Sequence, residues 1–381
     1  MDNKKHKMIV FLLENANPSI KRRIKNEVLN NITPDESMEY QEQILQEPLM
    51  QQIIVLQQSN GWIGKGSIRN FDMPHGALNY LAEKAIDKNS SVLKHAMDAF
   101  VEIPLSDPCY GPSNERNVDE FKHPCAGVNL ARCACIARAG YDDIINISPQ
   151  IQLAVDSFKR VIEIDSIFDI LHPEKKGGKV RNVFNDYEKW PCRYHLDMLA
   201  HTQSWKNKVN IQTVADSVIK MMKTDDPELI SYVPNGQAKT GCVGGVFPVQ
   251  GLTVMGSGIY PSPILCEVGS NGKDYNGKYH FELIEWFARC GIVSHVPSLR
   301  KIVSDIANSI DNDGVCRLPS GSGVGKNMIA EDVFKNWNKF GGLQLEVDWK
   351  SKTRKLCDIT FRALLILHYS KFKEVQPNEK T

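Results

Sequence analysis

The sequence predicts an all-α fold, and three observations carry that reading. Apolar residues recur every three or four positions in several long stripes, helix-start signals stand just ahead of those stripes, and no segment alternates cleanly as a half-buried strand does. Near the N-terminus, Asn17-Pro18-Ser19 introduces a helix over 20–30, and Pro34-Asp35 introduces a longer one to about 57. Pro74 opens a helix carrying Ala77, Leu78, Leu81 and Ala82, and the small residues from Ala131 to Ala139 suit a tightly packed helix. Ile151, Val155, Phe158 and Ile162 form one stripe, and Ile211, Val214, Val218 and Met222 form another behind Asn210. Trp190-Pro191 opens a helix to about Trp205, with Pro in the position where a missing N–H costs least. Pro297-Ser298 precedes Leu299, Ile302, Val303, Ile306 and Ile310, and Leu356, Thr360, Ala363, Leu364 and Leu367 close the series. The stretch 243–265 is rich in Gly and Pro and reads as a long, partly buried loop with room for a short hairpin.

Charge and composition exclude several classes of function. With 46 Lys+Arg against 45 Asp+Glu, the formal net charge of +1 provides no field for nucleic acid or an anionic membrane. The 42% hydrophobic and 24% charged content is that of an ordinary globular protein. Residues 8–13 form an apolar run too short for a signal core, and nothing approaches the roughly 20 apolar residues of a membrane span. A cytoplasmic protein with reduced thiols is the expectation, despite 10 cysteines and 10 histidines.

Four long excursions, 104–125, 173–190, 234–277 and 311–348, leave the helical scaffold, and such loops are where binding sites usually lie. A unit recurs between them. A helix runs into Gln57-Gln58-Ser59-Asn60-Gly61-Trp62, then a loop and the helix from Pro74; later a helix runs into Asp311-Asn312-Asp313-Gly314-Val315, then a loop and the helix from Lys355. In each, the glycine is expected to take the left-handed conformation that ends the first helix. Helix pairs of this kind cannot bury their own faces and must pack side by side.

These residues carry a resemblance. Asn17 to Leu29, Leu49 to Gln57 and the Gln58-Ser-Asn-Gly61-Trp62 turn resemble the terpenoid cyclase/protein prenyltransferase superfamily, most of all its small bacterial squalene-cyclase-like members, whose repeats carry a similar Gln…Gly-x-Trp turn. The resemblance implies a single α/α toroid over 1–381, two concentric rings of helices around one cavity, with N-terminal helices at about 8–57 packing on the ring. It also implies a small-molecule or lipid-like substrate, isoprenoid in the family's best-known members.

The family's catalytic motifs fit only loosely. Squalene-type cyclases protonate an alkene with Asp-x-Asp-Asp, whereas Asp311-Asn312-Asp313-Gly314 lacks the final acid and lies in the turn itself. Aromatic content of 8% is ordinary, while a cavity escorting a polycyclic cation wants aromatic walls. Prenyltransferases hold zinc with Asp, Cys and His. Here Cys357-Asp358 and His368 share one helix, so at about 1.5 Å per residue the cysteine and histidine stand roughly 16 Å apart and cannot share an ion. Lanthionine cyclases, also toroids, hold zinc with two Cys and one His; Cys242, Cys125 with His123, and Cys192 with His195 offer the residue types without the adjacent Cys-His pair. No cofactor is expected, and zinc is the ion such a set would take. The thiols of Cys133 and Cys135 suit packing better than chelation.

The most informative polar pattern is Trp190 to Trp205. On a helix, Tyr194, Asp197, His201 and Trp205 fall on one stripe, and Asp197 can orient the His201 imidazole while Tyr194 adds a donor. Tyr194, Asp197 and His201 are the candidate catalytic acid–base group, with Arg193 a competitor for the carboxylate. Trp190, His195 and Trp205, with Tyr110 from the first long loop, are candidate substrate-binding residues. Pro319 to Lys326 looks phosphate-like but lacks the first glycine and the Ser/Thr of a P-loop, so a loop over the mouth fits better. The basic run 349–355 reads as a solvated cap. The expected function is acid–base chemistry on a small or isoprenoid-like substrate in the central cavity. The alternatives are a non-catalytic toroid binding peptide or lipid, and a polysaccharide lyase or hydrolase, which would bring Asn, Tyr and His together.

Overall fold

A computed structural model describes residues 3–64, 74–107, 119–122, 127–165, 167–176, 179–221, 253–255, 258–260, 281–317 and 345–371. The described chain is mostly helical. In chain order the helices are α1 (Asn3–Asn15), α2 (Pro18–Arg23), α3 (Pro34–Leu45), α4 (Pro48–Leu56), α5 (Pro74–Glu83), α6 (Ser91–Glu102) and α7 (Gly127–Arg138). They continue with α8 (Ser148–Glu163), α9 (Arg193–His201), α10 (Lys208–Met221), α11 (Phe281–Arg289), α12 (Pro297–Asn308) and α13 (Lys352–Tyr369). None is long and apolar enough to cross a membrane.

Start signals act as the sequence suggests. The Asn17 side chain accepts from the Ile20 N–H ahead of Pro18, and Thr33 forms a reciprocal capping box with Glu36 ahead of Pro34. The helix expected to run unbroken to residue 57 is instead two. Pro48 lacks an N–H and drives Glu47 into an extended conformation, so α3 ends and α4 begins. Behind α2 the chain widens into a π turn, Ile24–Val28, that carries Glu27.

Two hairpins interrupt the helices. β1 (Leu171–Lys176) pairs antiparallel with β2 (Lys179–Phe184), where the sequence reads as an irregular excursion. Pro173 in β1 and the adjacent glycines masked the alternation, and the ladder forms with β-branched Val180 and Val183 in β2. β3 (Thr253–Met255) and β4 (Gly258–Tyr260) are the short hairpin anticipated within 243–265.

Every second helix packs on the next: α5 on α7, α7 on α9, α9 on α11, α11 on α13. Of the helices between, α6 lies against α5 and α7, α8 against α9 and α10, and α12 against α13. The N-terminal α1 lies against α13 and α2, and α2 against α3. Helices α5 and α7 run parallel, as do α11 and α13. Asn79 faces Cys135 and, one turn on, Glu83 faces Arg138; Glu285 faces Arg362 and, further on, Arg289 lies over the Tyr369 ring. The apolar faces merge into one buried cluster from Met8 on α1 to Ile366 on α13.

The two recurring turns adopt one device. Gln57 pairs with Ile63, and Ile310 with Cys316, as isolated bridges. Gly61 at φ +89° and Gly314 at φ +81° lie inside them. Neither glycine caps the preceding helix, as the sequence suggests; each closes a small bridged loop four to six residues past the helix end. A Cβ at Gly61 would lie 2.1 Å from the His95 carbonyl oxygen on α6, and one at Gly314 would lie 2.5 Å from the Lys7 carbonyl carbon on α1. Only glycine permits that approach.

Candidate functional site

Helix α9 is shorter than its apolar spacing suggests. Trp190 and Pro191 lie before it, and Cys192 is its extended N-cap. The Cys192 N–H donates to His195 Nδ1 at 3.2 Å, completing a reciprocal cap in which the thiol sulfur receives the His195 N–H. Thr202 then turns extended while its hydroxyl donates to the Met198 carbonyl at 2.8 Å, so the helix stops at His201. Trp205 therefore leaves the stripe. It folds back, buried, and its indole N–H donates to the Leu199 carbonyl at 2.8 Å. Trp190 is fully buried, and His195, 1% exposed, serves as a cap. Of the candidate substrate-binding residues, these three belong to the packing, and Tyr110 lies outside the described residues. So do His123, Cys125, Cys242 and the 319–326 stretch.

Asp197 and His201 meet as their spacing predicts, with His201 Nδ1 2.9 Å from Asp197 Oδ1. Tyr194 turns its ring to another neighbour. Its ring stands edge-on to His75 on α5, centroids 5.8 Å apart at 87°. The guanidinium on the Asp197 carboxylate is that of Arg138, from α7, at 2.8 and 3.2 Å in a two-pronged pairing. Burial would raise the Asp197 pKa, but Arg138 and His201 bring it below the ordinary aspartate value. A carboxylate held this way stays charged and acts as an anchor for the imidazole rather than as a proton acceptor.

Arg138 is one node of a buried ionic layer. It reaches Glu83 on α5 at 3.4 Å and Glu282 on α11 at 3.3 Å, and lies over the Trp286 ring at 5.1 Å. Arg362 on α13 joins Glu83 at 2.7 Å to Glu285 at 2.9 Å. Arg23 on α2 joins Glu83 at 2.8 Å to Glu27 at 2.5 Å, and Arg289 joins Glu285 to Glu27, each at 2.7 Å. The Tyr369 hydroxyl donates to Glu27 at 3.0 Å. Burial alone would push Glu27, Glu83 and Glu285 up, but the surrounding arginines outweigh it and hold all three below the usual carboxylate range.

Three members of this layer share a signal in the sequence. Leu81-Ala82-Glu83-Lys84-Ala85-Ile86, Ile136-Ala137-Arg138-Ala139-Gly140-Tyr141 and Phe287-Ala288-Arg289-Cys290-Gly291-Ile292 end their helices alike. In each, the last residue's N–H returns to the carbonyl five back, the fifth residue's N–H to that three back, and the fifth residue has φ between +57° and +79°. The third position of each points an ionisable side chain into the layer. That motif, read as a repeat, would have found Glu83, Arg138 and Arg289.

Toward the N-terminal ends of the same helices lies a less charged group. His75 Nε2 is 3.3 Å from the Asn79 amide nitrogen, a contact in which the amide N–H donates to the ring. The Asn79 oxygen accepts from the Cys135 thiol at 3.3 Å. Burial, and then the Asp197 charge, push the Cys135 thiol well above its ordinary value, so it is no thiolate nucleophile. Tyr194, half-buried, completes the set.

No family model, curated protein or solved structure matches this chain. Among the described residues, no three His, Cys, Asp or Glu side chains are placed to hold a metal ion. Cys357 is buried within α13, and His368 Nδ1 sits 3.0 Å from the Lys5 ammonium.

Proposed function

We propose that the chain is an α/α toroid enzyme performing acid–base chemistry on a small polar substrate, with His75 and Tyr194 as the proton-transferring pair. In this reading α2, α5, α7, α9, α11 and α13 form the inner ring, and from α5 onward they alternate along the chain with outer helices. The turn docking supports a closed ring. The Gly61 loop behind α4 seats on α6, the next outer helix, and the Gly314 loop behind α12 seats on α1 in the same way. In this reading the ionic layer is the floor of the lumen.

One observation carries the chemistry: an imidazole from α5 and a phenol from α9 meet edge-on above that floor, backed by Asn79. A histidine and a tyrosine at one point are the groups for taking a proton and returning one. Asp197 and His201 act from below as positioning residues. The polar lining argues against a polyene, whose cation wants aromatic walls. Asn79 beside His75 and Tyr194 favours one narrower reading, a lyase acting on acidic sugars, in which an amide binds the carboxylate next to the carbon that loses its proton.

The test is conversion of uronate oligosaccharides, with farnesyl diphosphate and squalene as isoprenoid probes, followed by mass spectrometry. His75→Gln and Tyr194→Phe are each expected to cut turnover of the accepted probe about 100-fold, the usual worth of a general acid or base. Turnover unchanged in both variants overturns the assignment. Saturable binding of a probe with no product supports the non-catalytic toroid.

A further inference from the structure

Two aromatic rings stand on the surface on the segments that lead into α7 and α9. Among the described residues, Phe121 at 47% and Tyr187 at 70% are the aromatic side chains left exposed. Large exposed rings grouped together are informative where a single exposed aliphatic residue is not. The two segments lie far apart in sequence, yet the Tyr187 N–H donates to the carbonyl of Lys122, next to Phe121, at 2.6 Å. Neither ring belongs to the buried apolar cluster.

Polar groups fix both segments. Asp119 Oδ1 accepts from the Phe121 and Lys122 N–H groups at 3.1 and 3.0 Å. Glu120 between them is buried, and its Oε1 accepts from Asn129 on α7 at 2.5 Å and from Gln150 on α8 at 3.0 Å. On the other segment, the Asn185 N–H donates to the Ile170 carbonyl at 3.0 Å, and the Glu188 N–H donates to the Asn185 carbonyl at 3.2 Å, closing a turn around Tyr187. Glu188 pairs with Arg160 at 2.7 Å, and Lys189 with Asp156 at 2.6 Å, both on α8. The rings thus stand on a fixed base, and the charges that follow Tyr187 are engaged with α8.

The Tyr187 backbone is a second, independent observation. Its φ of +63° lies in the left-handed region, where a Cβ crowds the backbone and where Gly, Asn and Asp settle far more readily. Asn185 and Asp186 are the two residues just before it, yet the tyrosine holds the position. Its ring is exposed and its hydroxyl makes no hydrogen bond among the described residues, so packing does not offset the strain. Strain that the surroundings enforce on an idle side chain points to a use outside the fold.

We propose that Phe121 and Tyr187 form a stacking platform for a sugar ring of a saccharide chain whose reacting end lies at His75 and Tyr194, an assignment that rests on the acidic-sugar reading of that pair. A pyranose ring presents a face of C–H groups, which the electron-rich face of an aromatic ring attracts. Its hydroxyls and carboxylate lie around the rim and stay in water. An aromatic pair whose neighbouring charges are already engaged suits that face and offers no cation to a free phosphate. Tyr187 precedes Tyr194 by seven residues, so the two are at most about 25 Å apart, a span that a chain of several sugars bridges.

Titration calorimetry of the full chain with a uronate disaccharide and a uronate hexasaccharide tests this. The wild type is expected to bind the hexasaccharide about tenfold more tightly than the disaccharide, and Tyr187→Asn and Phe121→Ser are each expected to remove most of that gain. Tyr187→Phe keeps the ring and is expected to keep the affinity. Because asparagine takes the left-handed conformation readily, Tyr187→Asn is expected to melt no lower than the wild type. Hexasaccharide affinity unchanged in Tyr187→Asn and Phe121→Ser overturns the platform and leaves the reading of His75 and Tyr194 standing. A hexasaccharide that binds, loses affinity in both variants and is never converted supports the platform and overturns only the catalytic reading. If neither saccharide binds the wild type, both fall together.

Discussion

The molecule buries charge in two places and treats it in opposite ways. In the ionic layer, Arg23, Arg138, Arg289 and Arg362 thread between carboxylates and hold them below their ordinary pKa. At the corner where α2 begins and α5 ends, Glu47, Glu346 and Asp358 are all raised, burial being the largest cause for each, Asp358 to about 6. Burial pushes in the same direction at both sites. Guanidinium supply decides the sign, because a forked, weakly hydrated cation can serve two carboxylates at once and an ammonium serves one point. The layer is therefore a fixed electrostatic fastening, whereas the corner's acids are pushed toward their neutral forms.

The largest test of that contrast removes one arginine. Arg362→Leu leaves Glu83 and Glu285 short of a partner in a dry site and is expected to cost about 3–5 kcal/mol in denaturant unfolding, as breaking buried pairs does. A loss under about 1 kcal/mol would erase the distinction. Next comes acid. The layer's carboxylates have depressed pKa values in the fold, so their contribution is complete above the unfolded value near 4 and declines as pH falls through and below it. Unfolding free energy is expected to drop by about 2 kcal/mol between pH 5 and pH 3. In Asp197→Asn that acid slope is shallower, because one linked group is gone. The smallest effect is expected in the corner. Lys84→Met strands Glu47, but Glu47 already sits above its ordinary value and can take up a proton, so the cost should be about 1–2 kcal/mol and shrink further at pH 5. A cost matching that of Arg362→Leu would mean that the two clusters obey one rule.

Much of this architecture is legible in the sequence, and what is not has specific causes. Apolar spacing located α8, α10, α12 and α13, and the Asn17-Pro18-Ser19 and Pro34-Asp35 start signals located α2 and α3. The break at Pro48 was legible in principle, since proline removes a donor and constrains its predecessor, but the apolar run across it read as continuous. Asp197 and His201 were legible as a pair because helix geometry alone brings residues four apart together. Arg138 and His75 were not, because each reaches α9 from a helix distant in sequence, and no local period encodes such a contact. Trp205 was misjudged for a related reason. Thr202 ends the helix with its own hydroxyl, and a stripe counted through that stop joins residues the fold separates. The Ala-Arg-x-Gly helix ends were visible as letters, yet their meaning depends on parallel helices meeting at one level.

The seating of the Gly314 loop on α1 has a consequence for how the protein is made. Met8, Ile9 and Leu12 find cover on the core only once α13 is present, and the Gly314 loop must arrive to lock Lys7 in place. At roughly 5–20 residues per second, the ribosome delivers those partners tens of seconds after α1 emerges. Helix α1 is thus among the last to settle, and its apolar stripe must be shielded until α13 has emerged. Contacts spanning some three hundred residues also make the seating of α1 on α13 a slow, late event in folding.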